Sequence, residues 1–91
     1  MKISDIKIEG FHLDRNLVSK TKLYSFIKDD NEDDYIDITE DCAEHNIIIG
    51  EIYHGCERVY VTAFNMSVFS IEDITEILSA KYDEIIDSES N

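Results

Sequence analysis

The acidic residues of this chain are crowded into its last two thirds, and any fold must hold them apart. Residues 1–28 carry six Lys and Arg against three Asp and Glu, whereas residues 29–91 carry two against eighteen. The formal charges are therefore +3 and −16, which sum to −13. A field of this size opposes compaction, repels nucleic acid and anionic membranes, and attracts surfaces built to hold phosphate. The alternative is a solvated acidic surface that serves solubility alone.

The length predicts one domain over residues 1–91 with a single core. A domain this small buries somewhat over ~60% of the surface that its unfolded chain exposes. Because 43% of the residues are apolar, the chain can still build that core against its own charge. The last residues, 87–91, are expected to fray.

The two cysteines and the first residues bear on where the protein works. Cys42 and Cys56 are too few for a disulfide framework and favour a reduced, intracellular protein. Charged residues in MKISDIKIEG stand where a signal peptide needs an apolar run. No window approaches the ~18 apolar residues of a membrane span. The expected location is the cytoplasm.

Several stretches alternate between apolar and other side chains, as strands do. They lie at 2–13 with a bend at Gly10, at 22–28 where a helix is the alternative, and at 35–39, 46–53 and 56–64. The acidic run 29–34 is predicted to be the loop of a hairpin, and 39–45 a single helical turn. A turn at His54 and Gly55 would join the last two strands. That turn pairs Glu51 with Arg58, Ile49 with Tyr60 and Ile48 with Val61.

One helix is predicted from Ser70 onwards. Ser70 with Asp73 resembles a capping box, in which each side chain satisfies the other's backbone N–H. An apolar stripe follows at helical spacing, formed by Ile71, Ile74, Leu78, Tyr82 and Ile85. The fold class predicted is therefore α+β, an antiparallel sheet of four to five strands packed against a C-terminal helix.

The acids fall into two groups that we predict to bind a partner. The first is a segment without Lys or Arg, and the second is the outer face of the helix. Their members are Asp29, Asp30, Glu32, Asp33, Asp34, Asp37, Glu40, Asp41 and Glu44 in the segment, and Glu72, Glu76, Asp83 and Asp87 on the helix. Tyr35, Tyr53 and Tyr60 are candidate anchors, since aromatic residues dominate binding hot spots, although a place in the core would equally explain them.

Calcium is a weaker alternative for the first group. Asp29, Asn31, Asp33, Asp37 and Glu40 stand at positions 1, 3, 5, 9 and 12 of an EF-hand loop. Position 6 requires glycine for its sharp turn, and here it is Asp34. No clearly amphipathic helices flank the run.

Neither a metal site nor an active site is predicted. Cys42 and His45 with His54 and Cys56 offer four zinc-type ligands, but a strand between the pairs would separate them by over ~20 Å. No nucleophile elbow, phosphate-binding loop or dinucleotide fingerprint is present. The sequence predicts a protein that is not an enzyme and needs no cofactor.

In size, charge and mixed α/β build the chain resembles the small acidic inhibitors of phages and mobile elements. These include anti-restriction proteins, anti-CRISPR proteins and inhibitors of uracil-DNA glycosylase. The likeness implies a stoichiometric inhibitor that mimics nucleic-acid charge, binds no nucleic acid or membrane itself, and blocks the basic groove of a host defence nuclease in a bacterial cell. It assigns a role to no residue. An immunity or antitoxin protein against a basic toxin nuclease is the main alternative, and the oligomeric state, a dimer included, is left open.

Overall fold

The residues that the structure describes form an antiparallel five-stranded sheet with one helix on one of its faces, as the sequence predicts. The computed structural model describes residues 6–14, 23–40 and 46–89. The strands follow one another across the sheet in chain order. They are β1 (Phe11–Leu13), β2 (Leu23–Lys28), β3 (Asn31–Glu40), β4 (Ile47–His54) and β5 (Glu57–Asn65), and the helix is α1 (Ile71–Glu89). The strand predicted at 22–28 is confirmed over its described residues, 23–28, and its helical alternative is wrong.

Of the described part of the strand predicted at 2–13, only Phe11–Leu13 form a strand. Ile6 and Ile8 are buried in the core, but pairing with β2 begins only at Phe11. Gly10 makes the predicted bend with a positive φ of 82°. The bend lets the backbone carbonyl of Gly10 accept the N–H of Asp29, which ties this segment to the turn after β2.

The core lies between the sheet and α1. Alternate residues of the strands point towards the helix and are almost fully buried, among them Phe26, Ile36, Ile38 and Ile52. Ile74, Leu78 and Tyr82 meet them from the helix, while Ile71 and Ile85 pack at its margin. The predicted apolar stripe is thus confirmed as the face that α1 buries.

The helix begins where the capping box predicts. The Ser70 N–H donates to Asp73 Oδ2 at 3.0 Å, and the Asp73 N–H donates to Ser70 Oγ at 3.1 Å. Two N–H groups that a helix N-terminus leaves without partners are thereby satisfied. The helix continues to Glu89, three residues into the segment that we expected to fray. Ser90 and Asn91 lie outside the described residues.

The predicted β4–β5 register is wrong because the turn lies one residue later. Gly55 and Cys56 occupy the tip with φ of 60° and 65°, the positive values that a type I′ turn requires at both central residues. A bulge beyond the turn then shifts the strands by one more residue. Ile52 pairs with Tyr60, Glu51 with Val61 and Ile49 with Ala63.

The predicted acidic loop 29–34 is also mostly wrong. Only Asp29 and Asp30 form the turn, and β3 already begins at Asn31. The pairing slips at the end of β2, where Lys28 lies opposite Asn31 and Ile27 lies opposite Tyr35. Asp33 and Asp34 are therefore strand residues whose side chains alternate between faces. Of the helical turn predicted for 39–45, Thr39 and Glu40 belong to β3, and the remainder lies outside the described residues.

Candidate interaction surface

Exposed carboxylates from three segments meet at one end of the sheet, which we call the acidic end. The β2–β3 and β4–β5 turns lie side by side there, since the Cys56 N–H donates to the Asp33 carbonyl at 2.8 Å. The last turn of α1 joins them through a hydrogen bond between Glu89 and His54. The exposed acids of this end are Asp29, Asp30, Glu32, Asp33, Glu57 and Glu89.

A second group runs along the solvent side of α1, and we call it the helix row. Steps of four, seven and four residues from Glu72 to Asp87 return to the same face of a helix. All six members are exposed: Glu72, Asp73, Glu76, Asp83, Glu84 and Asp87. Lys81 pairs with Glu84 at 3.4 Å. Glu89 lies two residues beyond Asp87 and about 200° further round the helix, so it faces His54 and not the solvent side that carries the helix row.

Asp34, predicted to contact a partner, is instead a buried structural residue. Its side chain is 1% exposed. It accepts hydrogen bonds from the Tyr82 hydroxyl at 2.6 Å, the Gly55 N–H at 2.9 Å and the His54 ring at 2.8 Å. Burial raises the pKa of Asp34, but these hydrogen bonds outweigh it and hold the pKa below its ordinary value. The carboxylate therefore ties α1 and the β4–β5 turn to β3.

His54 joins the sheet to the C-terminal end of the helix. Its Nδ1 faces Asp34 and its Nε2 faces Glu89, so the protonated ring donates to both carboxylates. The hydrogen bonds to Asp34 and then Glu89 raise the pKa of His54 above its ordinary value, against a smaller opposing effect of burial. The last turn of α1 contains no basic residue. A cation there is favourable, since it opposes the negative end of the helix dipole.

Replacing His54 with asparagine should remove a stabilisation that depends on pH. A raised folded-state pKa means that the contribution is fully present below the unfolded value of about 6.5 and is lost as pH rises through the folded value. The free energy of unfolding, measured with urea from pH 6 to pH 9, should therefore differ most between wild type and His54→Asn at pH 6.

The matched control for His54 is His12→Asn. His12 also contacts a carboxylate, Asp29 Oδ1 at 2.7 Å, but both side chains are more than half exposed. The groups facing His54 are Asp34, Glu89 and, through Asp34, the Tyr82 hydroxyl. If the difference in the free energy of unfolding between wild type and His54→Asn stayed constant from pH 6 to pH 9, the result would contradict the hydrogen bonds of a protonated His54 to Asp34 and Glu89.

The other described acids of the first predicted group do not lie at the acidic end. Asp37 is half-buried on the sheet face opposite the helix, where the Ser25 hydroxyl donates to it. Burial raises its pKa, and nearby Glu51 raises it further against the Ser25 hydrogen bond. Glu40 is half-buried at the end of β3. Asp41 and Glu44 lie outside the described residues.

The candidate tyrosine anchors fall on both faces of the sheet. Tyr35 and Tyr53 pair across β3 and β4 on the face opposite the helix, with stacked rings 4.5 Å apart. Tyr60 lies towards α1, where the Lys81 ammonium is 5.1 Å from the ring centroid. The surface residues that sequence reasoning missed are Glu51, Glu57 and Glu89. Helical spacing already places Asp73 and Glu84 beside the predicted acids of the helix, whereas the role of Glu89 depends on a contact with His54, thirty-five residues away.

The structure argues against the calcium alternative. Residues 31–40 form a strand, so no EF-hand loop between two helices exists there. In the described ranges 6–14, 23–40 and 46–89, no group of three His, Cys, Asp or Glu residues is arranged to hold a metal ion. Across those same residues, no helix is long and apolar enough to cross a bilayer.

Comparison of the chain with protein-family models, curated proteins and solved structures found no significant match.

Proposed function

We propose that this protein is a stoichiometric acidic inhibitor that occupies the basic groove of a nucleic-acid-processing protein by presenting carboxylates in place of phosphates. The observation that carries the proposal is the row of six exposed carboxylates along the solvent side of α1. The target that we propose is a bacterial defence nuclease of the CRISPR or restriction type. The inhibitor would act in the cytoplasm and would not catalyse a reaction.

The charge density of the helix row supports mimicry. Asp87 lies fifteen positions after Glu72, which is about 22 Å along a helix axis. Six carboxylates within that length give one charge per ~4 Å, close to the ~3.4 Å spacing of charges along one strand of duplex DNA. Lysine and arginine side chains that line a DNA groove therefore meet a comparable density of negative charge.

The carboxylates are also held on a fixed scaffold. The capping box fixes one end of α1, and the hydrogen bonds of Tyr82 and Glu89 fix the other end against the sheet. A ligand that is ordered before binding loses less conformational entropy than a flexible polyanion does. Fixed spacing thus favours tight binding to a groove of matching spacing over loose association with every basic protein.

The test is capture of purified bacterial defence nucleases by the immobilised protein, at low and moderate salt, with duplex DNA as competitor. We expect a basic nuclease to be captured and DNA to displace it. Exposed ion pairs contribute about 0.2–1 kcal/mol each. The triple variant Glu72→Gln, Glu76→Gln, Asp83→Asn should therefore bind roughly tenfold more weakly, with no single change dominating.

Two outcomes would contradict mimicry. Capture that duplex DNA leaves intact, together with one or two substitutions that abolish binding, would favour an immunity-type contact with a toxin nuclease. If no basic nuclease is captured at low salt, solubility alone would explain the negative charge. An uncharged polymer in place of DNA controls for crowding by the competitor.

A further inference from the structure

The sheet face opposite α1 carries two adjacent pairs of facing side chains, which we call the tyrosine–carboxylate patch. Tyr35 pairs with Tyr53, and Asp37 pairs with Glu51, across β3 and β4. Residues two apart on a strand share a face, so the two pairs are neighbours. None of these residues contributes to the helix row or the acidic end. This patch therefore needs a separate explanation.

Asp37 and Glu51 carry two negative charges, and one cationic side chain among the described residues, Arg58, pairs with Glu51. Like charges directly opposite each other destabilise a sheet. Arg58 Nη1 donates to Glu51 Oε2 at 3.2 Å. Asp37 accepts from the Ser25 hydroxyl instead, and among the residues that the structure describes no Lys, Arg or His forms an ion pair with it. One further cation at this place would be electrostatically favourable.

The tyrosine pair beside the acids favours a guanidinium as that cation. Burial, followed by the charges of the two carboxylates, raises the pKa values of Tyr35 and Tyr53, so both hydroxyls stay neutral. A planar guanidinium can stack on an aromatic ring while its N–H groups bind a carboxylate. Arg58 shows the second contact within this chain, on the same Glu51 oxygen that accepts the Tyr53 hydroxyl at 3.3 Å.

Apolar surface lies next to the patch. Val61 pairs with Glu51 on the outer face of β5 and is 52% exposed, and Val59 beside it is 42% exposed. The helix contacts the sheet from the other side, where its buried side chains meet Ile52 and Leu78 packs on Gly50. Exposed valines at the rim supply area that a binding partner can remove from water.

We propose that the tyrosine–carboxylate patch is a docking surface for an arginine-bearing segment of the target protein. The proposal rests on the proposed function for the identity of the target, and it adds a second contact on the face of the sheet that the helix leaves open. Charge complementarity selects this occupant. A second copy of the chain brings a further −13 of charge, and nucleic acid is repelled by the same carboxylates.

The test uses the intact protein, labelled with nitrogen-15, and a capped tri-arginine peptide as probe at physiological salt. We expect the largest amide shifts at Tyr35, Asp37, Glu51 and Tyr53, and at least threefold weaker binding of capped tri-lysine, which lacks the planar group. The variant Asp37→Asn, Glu51→Gln should bind tri-arginine about tenfold more weakly. It retains the acceptors for Ser25 and Arg58 and removes the repulsion, so it should fold.

The matched comparison is Glu72→Gln, Glu76→Gln, which removes the same charge from the helix row and should weaken tri-arginine binding only about two- to threefold, because exposed carboxylates on the helix offer the peptide no aromatic ring to stack on. Equal losses in the two double variants would overturn the proposal, as would shifts confined to the acidic end or equal affinities for the two peptides. Each of those results would indicate that cations are attracted to the acidic protein in general and not to the tyrosine–carboxylate patch.

The peptide experiment needs no target, so it separates the two proposals. If tri-arginine binds at the patch but no nuclease is captured, only the proposed function fails. Conversely, a nuclease that is captured equally well by wild type and by Asp37→Asn, Glu51→Gln would overturn docking at the patch while leaving inhibition by the helix row intact.

Discussion

Replacing Asp34 with alanine is expected to lower the free energy of unfolding by about 3 kcal/mol or more. The substitution leaves the Tyr82 hydroxyl and the Gly55 N–H without an acceptor and removes the anion that faces His54. A buried polar group without a partner costs about 1–3 kcal/mol, and breaking a buried charged network costs more. Urea unfolding at pH 7 followed by circular dichroism measures the difference.

The adjacent exposed acid provides the control for Asp34. Asp33→Ala keeps the backbone carbonyl that accepts the Cys56 N–H and should change the free energy of unfolding by less than about 0.5 kcal/mol. Asp34→Asn, which keeps one acceptor oxygen, should fall between the two. Equal effects of Asp33→Ala and Asp34→Ala would mean that Asp34 acts only as one more surface charge.

The second large effect is expected where α1 crosses β4. Leu78 is fully buried, and its truncation to alanine should cost about 2–5 kcal/mol. A Cβ on Gly50 would lie 2.9 and 3.0 Å from the two Leu78 methyl carbons, so Gly50→Ala should also destabilise the protein, by about 1–3 kcal/mol. Together the two changes should cost less than their sum, because the new methyl group enters the space that Leu78 vacates.

A double-mutant cycle measured by urea unfolding tests this packing. We expect a coupling between Gly50 and Leu78 of about 1 kcal/mol in the compensating direction, within the range found for residues in contact. Ala80→Gly, on an exposed part of the same helix, should instead add independently to Gly50→Ala. Strict additivity at Gly50 and Leu78 would show that the helix does not pack on this glycine.

Local sequence patterns predicted the strands and the helix of this fold better than the register in which the strands pair. The helix start followed from Ser70 and Asp73 because a capping box lies within four residues of sequence. The β4–β5 register did not follow, since it depends on which residues adopt positive φ and on a bulge beyond the turn. Cys56 in a left-handed conformation is not a choice that residue preferences suggest.

The candidate site shows the same division between local and long-range information. Exposure of the helix row followed from its spacing, whereas the burial of Asp34 did not follow from its place among acids. Its partners His54, Gly55 and Tyr82 come from segments at least twenty residues away. Composition alone makes every carboxylate of residues 29–34 equivalent, and only the pleat of β3 turns Asp34 inwards.

The sequential order of the five strands has a consequence for how the chain folds. Each strand pairs with its neighbour in sequence, so the sheet can form one hairpin at a time with short loops to close. The contacts of Tyr82 with Asp34 and of Glu89 with His54 span 48 and 35 residues and complete the structure from its last element. During synthesis the sheet leaves the ribosome first, with Ile36, Ile38 and Ile52 uncovered. Until α1 follows, the nascent chain exposes the apolar surface that chaperones and proteases recognise.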